Sequence, residues 1–306
     1  MKFKLKHRLR VHFSFLRQRP LACKSEVKHF VWGAADKNHN TPSIPRIIWL
    51  YWSDALISSA TVTLCIKLIR EMHPSFKVHL LNKSTITDYL PDFPEEVIEM
   101  APTHVSDLVR LMLVERYGGI YLDATILLSK PIDWVLELQH TDHSEGVFYY
   151  TDENTLEQEF PMLENWLIAA APNSNFIRAW REEYQTSITG SDRNEYLQRC
   201  ELVRQAKFPL KLPYYLCYLA AQIVIRKGQG YHLSLVRAED DAFCYGLGFK
   251  KKWDEVAMAD MLLFNPKQTQ LPNLIKLIRF DRIRLDYYIE RKFYKKDSWL
   301  GELLTN

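Results

Sequence analysis

The chain has 306 residues, 47% of them hydrophobic and 13% aromatic, and a net charge of +3 at neutral pH. That supplies ample apolar surface for a packed core and excludes a disordered chain. The balanced charge says little about partners, and the basic ends carry no basic-aromatic recognition motif, so nucleic acid is not expected.

Five scattered cysteines, odd in number and without a CxxC pair, argue against a disulfide framework or zinc site and fit a reducing compartment. No apolar run approaches the length of a membrane span, and the N-terminus lacks a clean signal-peptide core. Residues 1–40 read as a basic arm: Lys2, Lys4, Lys6, Arg8, Arg10, Arg17 and Arg19 are interleaved with Phe3, Leu5, Leu9, Val11, Phe13, Phe15 and Leu16. Either a helix on an anionic membrane surface or a solvated tail fits that pattern.

Residues 41–306 read as one domain, with a first half, 41–135, and a less regular second half, 136–306. Ile44 to Trp52 is a proline-started apolar strand, Ser59 to His73 a helix stopped before Pro74, and Phe76 to Leu81 a second strand. Strand, helix, strand opens a parallel α/β sheet, whose ligands sit beyond the carboxyl ends of the strands, here near Trp52 and Asn82. His104 to Tyr117 is a helix with Thr103 as a plausible N-cap and Gly118 as a left-handed C-cap. Asp107 and Arg110 share one of its faces at i and i+3, either as a local ion pair or as donors and acceptors for sugar hydroxyls. Gly118-Gly119 then turns the chain into Ile120 to Leu128, a strand apolar on both faces apart from Asp123 and Thr125. Those two side chains point the same way, and a carboxylate with a hydroxyl can hold a hard divalent cation beside diphosphate oxygens. Alternatively, Asp123 caps backbone N–H groups.

In the second half, Trp166 to Ala171 is a short strand, and Phe176 to Tyr184 and Tyr214 to Arg226 are helical. Glu164-Asn165-Trp166 precedes that strand as a turn or as a segment reaching the reacting face of a substrate. Asp240 and Asp241 read as a solvated turn. His104 reads as a satisfied surface histidine, and no HExxH spacing occurs.

The string SDLVRLMLVERYGGIYLDATILLSKPID resembles the DXD-containing sugar-transferase family that includes yeast-type mannosyltransferases, and most of all its capsular polysaccharide synthesis branch. Asp107, Arg110, Gly118-Gly119, Tyr121-Leu122-Asp123 and Pro131-Ile132-Asp133 carry the likeness, supported by IPRIIWLYW and VHLLNKSTITDYLP upstream. Thr125 replaces the second acid of the DXD pair, as in the capsular branch. The short segment LPNLIKLIR, with Lys276, is similar to a basic segment that closes the nucleotide site.

The resemblance implies an α/β, GT-A-type nucleotide-diphospho-sugar transferase fold, with a mostly parallel central sheet flanked by helices and helical insertions. Residues 41–135 would then form the nucleotide-sugar-binding half and 136–306 the acceptor side. It implies an enzyme that moves a sugar from a nucleotide-sugar donor to a glycan or lipid-linked glycan acceptor in bacterial capsule or other surface polysaccharide synthesis, with retention. Asp107, Arg110 and Asp123 become the catalytic candidates. Trp52, Asp107, Arg110, Asp123, Asn165 and Lys276 become donor-binding candidates, with Trp52 favoured over Trp49 for stacking on the base. Asp123 and Thr125 would hold manganese or magnesium. The expected location is the cytoplasm, peripheral on the inner face of the cytoplasmic membrane. Other readings are a non-catalytic nucleotide-sugar-binding scaffold and a toxin-like protein glycosyltransferase.

Overall fold

The computed structural model describes residues 5–16, 23, 27–33, 41–190, 193–228, 230–247, 253–254, 256–268 and 270–305. Its centre is a sheet built from β1 (His29–Gly33), β2 (Ile47–Tyr51), β3 (Lys77–Leu81), β4 (Gly119–Asp123), β6 (Gly146–Thr151), β7 (Met162–Ala170) and β8 (His232–Arg237). The spatial order of this seven-stranded sheet is β1-β8-β6-β7-β4-β2-β3. A separate two-stranded sheet joins β5 (Ile126–Leu128) to β9 (Leu274–Lys276).

The expected α/β class holds, but the sheet is mixed rather than mostly parallel. β3, β2 and β4 run parallel, as the strand-helix-strand pattern predicts. β7 lies antiparallel to both β4 and β6, and β1 is antiparallel to β8. The physical reason is the short return between β6 and β7, which leaves no room for the crossover helix that a parallel pair needs. β1 lies within the segment read as an arm and forms the sheet's edge.

Helices cover both faces. On one side lie α3 (Pro102–Tyr117), α5 (Asn175–Thr189) and α6 (Leu216–Lys227). On the other lie α2 (Ala60–Met72) and α4 (Asp133–Asp142). α2 turns a second apolar stripe, Leu64, Cys65 and Leu68, toward a third cluster. That cluster holds α1 (Leu5–Leu16), residues 256–264, α7 (Arg279–Glu290) and α8 (Trp299–Thr305). Asp286 of α7 reaches the start of α2, accepting from the Thr61 backbone N–H at 2.8 Å and the Ser59 hydroxyl at 2.7 Å. A carboxylate there satisfies donors that a helix N-terminus leaves open and complements its dipole.

α1 is amphipathic in an unusual way. Val11 and Phe15 face inward, with Phe15 stacked on Phe293 at 4.8 Å, and Arg10 pairs with Asp254 at 2.9 Å. Leu9, Phe13 and Leu16 form the opposite, solvent-facing stripe. Cys23 is bonded to Cys244 across 221 residues of sequence, which corrects the expectation of no disulfide. The pairing has no spacing signature because only docking of the N-terminal segment brings the two thiols together, and it removes the ground for expecting a reducing compartment.

α3 begins two residues earlier than predicted. Pro102 occupies its first position and Ala101, not Thr103, is the N-cap. Its exit depends on two glycines with positive φ, +65° at Gly118 and +100° at Gly119. A Cβ on Gly119 would stand 2.6 Å from the Ile47 carbonyl oxygen of the neighbouring strand. Replacing Gly119 by alanine should therefore lower unfolding free energy by about 2–4 kcal/mol, read as a reduced urea midpoint.

Candidate active site

Ten residues of α3 are buried, so nearly every side of the helix faces protein. Asp107 and Arg110 are carried into the interior with it and must find partners there. Arg110 is 4% exposed. Its guanidinium donates to the Ser106 carbonyl at 3.0 Å, the Ser106 hydroxyl at 3.1 Å and the Asn165 carbonyl at 2.5 Å. It pairs with Asp107 at 3.1 Å and with Asp123 at 3.3 Å, and lies 4.7 Å over the Tyr121 ring. Asn165 closes the loop by donating its amide to Asp107 at 3.0 Å. Thus α3, the end of β4 and the start of β7 are tied through one cation.

Asp123 is the last residue of β4, opposite Tyr51 of β2. The predicted strand to Leu128 breaks here: Ala124 and Thr125 form a turn, and β5 leaves for the second sheet. In that sheet Lys276 stands opposite Ile126. Its ammonium donates to Asp123 at 2.5 Å and to the Thr125 hydroxyl at 3.1 Å. Burial acts to raise the Asp123 pKa, but Lys276 and Arg110 outweigh it and hold the carboxyl below its ordinary range. Asp107 differs. Burial outweighs the pull of Arg110 and pushes it up to about 7.

These groups line one cleft of about 850 Å³, which also brings in Trp52, Glu164, Tyr215, Tyr218 and Arg282. The residues expected to be catalytic, donor-binding or metal-binding, Trp52, Asp107, Arg110, Asp123, Thr125, Asn165 and Lys276, all border it. Trp52 lies under the Arg282 guanidinium at 5.2 Å. Trp49 does not reach the cleft: it stacks on His79 and donates to the Gly118 carbonyl in the core. A second cavity, about 660 Å³ between α5 and α6, contains none of these residues.

Glu164 and Asn165 are part of β7, not a turn before it, so their side chains alternate across the sheet. Glu164 accepts from the Trp166 indole at 2.8 Å and the Tyr218 hydroxyl at 2.9 Å, both on Oε2. Tyr218 and Arg282 carry no sequence signal, since each sits on an ordinary helix and only packing turns it into the cleft.

Two other expectations are corrected. Asp240 and Asp241 are buried, not solvated. Asp240 pairs with Arg237 at 2.8 Å, and Asp241 accepts from Tyr149 and from the Asn273 amide at 2.8 Å. Their adjacent charges look like a surface turn until a basic neighbour and a second segment cover them. His104 is buried with its ring on the Tyr184 hydroxyl at 3.1 Å, because its helix is covered on that side by α5.

In this arrangement Lys276, not an open position, lies between Asp123 and Thr125. No group of three or more His, Cys, Asp or Glu side chains converges on a possible metal among the described residues. The one carboxylate at the position already meets two cations, and Lys276 touches both expected ligands. Unit charges 4 Å apart interact by about 4 kcal/mol at an effective dielectric constant of 20, so a dication that near an ammonium meets about twice that repulsion.

The family described as capsular polysaccharide synthesis protein matches over residues 17–194. The chain belongs to this family. The segment contains α3, β4 and β7, and with them Trp52, Asp107, Arg110, Asp123, Thr125, Glu164 and Asn165, while Lys276, Arg282, Tyr215 and Tyr218 lie beyond it. A curated relative, Glycosyltransferase afumC of Aspergillus fumigatus, is 27% identical over 176 residues, covering 49% of this chain and 42% of its own. Glucan organizing enzyme 1 of Cryptococcus neoformans is 34% identical over 83 residues, covering 27% of this chain and 22% of its own. The chain thus spans less than half the length of either. Among solved structures, one described as PaToxG Glycosyltransferase is similar at 15% identity and a TM-score of 0.31, over 74% of this chain and 95% of its own. A TM-score that low says nothing of activity.

Burial pushes the Glu164 pKa from 4.5 up to about 7, against the two hydrogen bonds that favour its ionised form. A carboxyl that holds its proton more tightly when folded contributes full stability below pH 4.5 and loses it as pH rises toward 7. Glu164→Gln should remove about 3 kcal/mol of that pH dependence, measured by urea unfolding at about pH 4.5 and pH 7.5.

Proposed function

We propose that the cleft is the active site of a nucleotide-sugar-dependent glycosyltransferase of the GT-A type. The observation that carries the reading is the convergence of Asp107, Arg110, Asp123, Asn165 and Lys276 where the parallel strands β2 and β4 end. Ligands of such sheets sit beyond those ends. The family membership and the names of both curated relatives support a sugar-handling site.

In this reading the base lies on Trp52, beneath Arg282, and the diphosphate faces Lys276. The donor sugar sits among Asp107, Arg110 and Asn165, whose carboxylate, guanidinium and amide pair with hydroxyls. The acceptor enters past Tyr215, Tyr218 and Glu164. The anomeric carbon–oxygen bond to the diphosphate breaks, an acceptor hydroxyl oxygen bonds to that carbon, and its proton passes to the leaving phosphate. Attack on the face that the diphosphate leaves retains configuration. Catalysis then rests on positioning and on positive charge held in place beforehand, which together supply most of such an acceleration. The acceptor is a growing glycan of a surface polysaccharide.

Donor hydrolysis and transfer screened over common nucleotide sugars test this directly. One donor should turn over, and Asp107→Asn or Asp123→Ala should each reduce kcat/KM by about a hundredfold or more while the fold, read by circular dichroism, persists. Failure of every donor to bind or react would overturn the reading.

We also propose that α1 docks the enzyme on an anionic membrane surface, near a lipid-linked acceptor. No helix among the described residues is long and apolar enough to cross a membrane. Instead, Leu9, Phe13 and Leu16 are exposed on one face of a helix whose other face is packed, and the neighbouring sequence is strongly basic. Such a stripe enters the headgroup boundary while the basic residues meet lipid phosphates. Phe13→Glu should weaken co-sedimentation with phosphatidylglycerol vesicles about tenfold without changing donor hydrolysis, and high salt should weaken the wild type.

A further inference from the structure

The cation that faces Asp123 is part of the chain. We infer that this site takes up the diphosphate of a nucleoside-diphosphate donor through a built-in ammonium, Lys276, in place of a divalent metal ion. The inference rests on the transferase reading and goes beyond it by assigning the charge carrier.

Three observations support it. First, the ammonium occupies the bridging position itself: it donates to Asp123 at 2.5 Å and to Thr125 at 3.1 Å, the two side chains that would otherwise offer oxygens to a metal. Secondly, Lys276 is held by backbone on both sides. Its own N–H donates to the Ala242 carbonyl at 3.1 Å, the next N–H donates to the Thr125 carbonyl at 3.2 Å, and β9 is paired in register with β5. An ammonium on such a strand is placed before any ligand arrives, which a side chain on a loop is not. Thirdly, Asp123 is already met by two cations, Arg110 and Lys276, and Asp107 is paired with Arg110. Of the other charged groups that border the cleft, Asp54, Glu153 and Glu164 are acidic, and Arg279 and Arg282, at the start of the helix that follows Lys276, are basic. A diphosphate brings its own negative charge to this balanced centre and meets the ammonium directly, with the backbone donors and positive end of α7 near by.

Thr125 follows from the same logic. A second acid there would leave two carboxylates facing a diphosphate and require a dication between them. A hydroxyl can instead accept from the ammonium and donate to a phosphate oxygen.

The test compares binding of UDP and GDP to the whole protein by calorimetry, after chelation with EDTA and again with added manganese. Binding of one of them should differ by less than about threefold between the two conditions. Lys276→Met should weaken it about ten- to a hundredfold in both, the loss expected for one charge-assisted hydrogen bond. The free-manganese electron paramagnetic resonance signal should be unchanged by wild type. The double variant Lys276→Met, Thr125→Asp should bind manganese with nucleotide present. Nucleotide binding that appears only with manganese, or stoichiometric loss of the free-manganese signal on adding wild type and nucleotide, would overturn the inference; neither result depends on a variant folding. Absence of any binding of either nucleotide or of any nucleotide sugar, with or without metal, would overturn the transferase reading and the inference with it.

Discussion

A guanidinium almost wholly removed from water must be surrounded by acceptors, and at Arg110 that requirement organises three separate parts of the chain. The carbonyl of Asn165 fixes how β7 enters the sheet, and Asp123 fixes where β4 stops. Asp107 fixes the rotation of α3 about its axis. Losing one partner leaves a buried charge without compensation, which is far costlier than losing a surface pair. The floor of the cleft is therefore also a packing joint.

Around that joint the burial of apolar surface assigns the layers. β4 is buried and apolar as far as Leu122 because helices cover both of its faces, and only Asp123 at its end breaks the run. α2 is apolar on two sides since it lies between the sheet and the cluster formed with α7 and residues 256–264. That outer cluster carries β9 to β5 and so delivers Lys276 to Asp123. The C-terminal part of the chain thus completes a site whose other half lies more than a hundred residues earlier.

The neighbouring acids of the cleft behave differently for one physical reason. Burial outweighs the pull of Arg110 on Asp107 and of two hydrogen bonds on Glu164 and pushes both up to about 7, whereas Lys276 and Arg110 outweigh burial at Asp123 and keep it ionised. A site that keeps one permanent carboxylate beside two that can carry protons can hold sugar hydroxyls as donors or acceptors without changing its framework.

Local rules made much of this legible from sequence. β2, α2 and β3, the span of α3, and the pairing of Asp107 with Arg110 follow from periodicity, proline and glycine punctuation, and i to i+3 spacing. The resemblance around Asp123 picked out residues that the fold gathers at one cleft. What was not legible depends on contacts between distant segments. The antiparallel return of β6 and β7, the turn at Ala124-Thr125, the Cys23–Cys244 bond and the burial of Asp240 and Asp241 have no local signature. Nor does the meeting of Lys276 with Thr125. A sequence determines which residues can be helix, strand or charge centre, because those are properties of neighbours along the chain. Whether a lone acid beside a hydroxyl faces a metal or an ammonium is decided only when another strand arrives, because charge compensation acts through space.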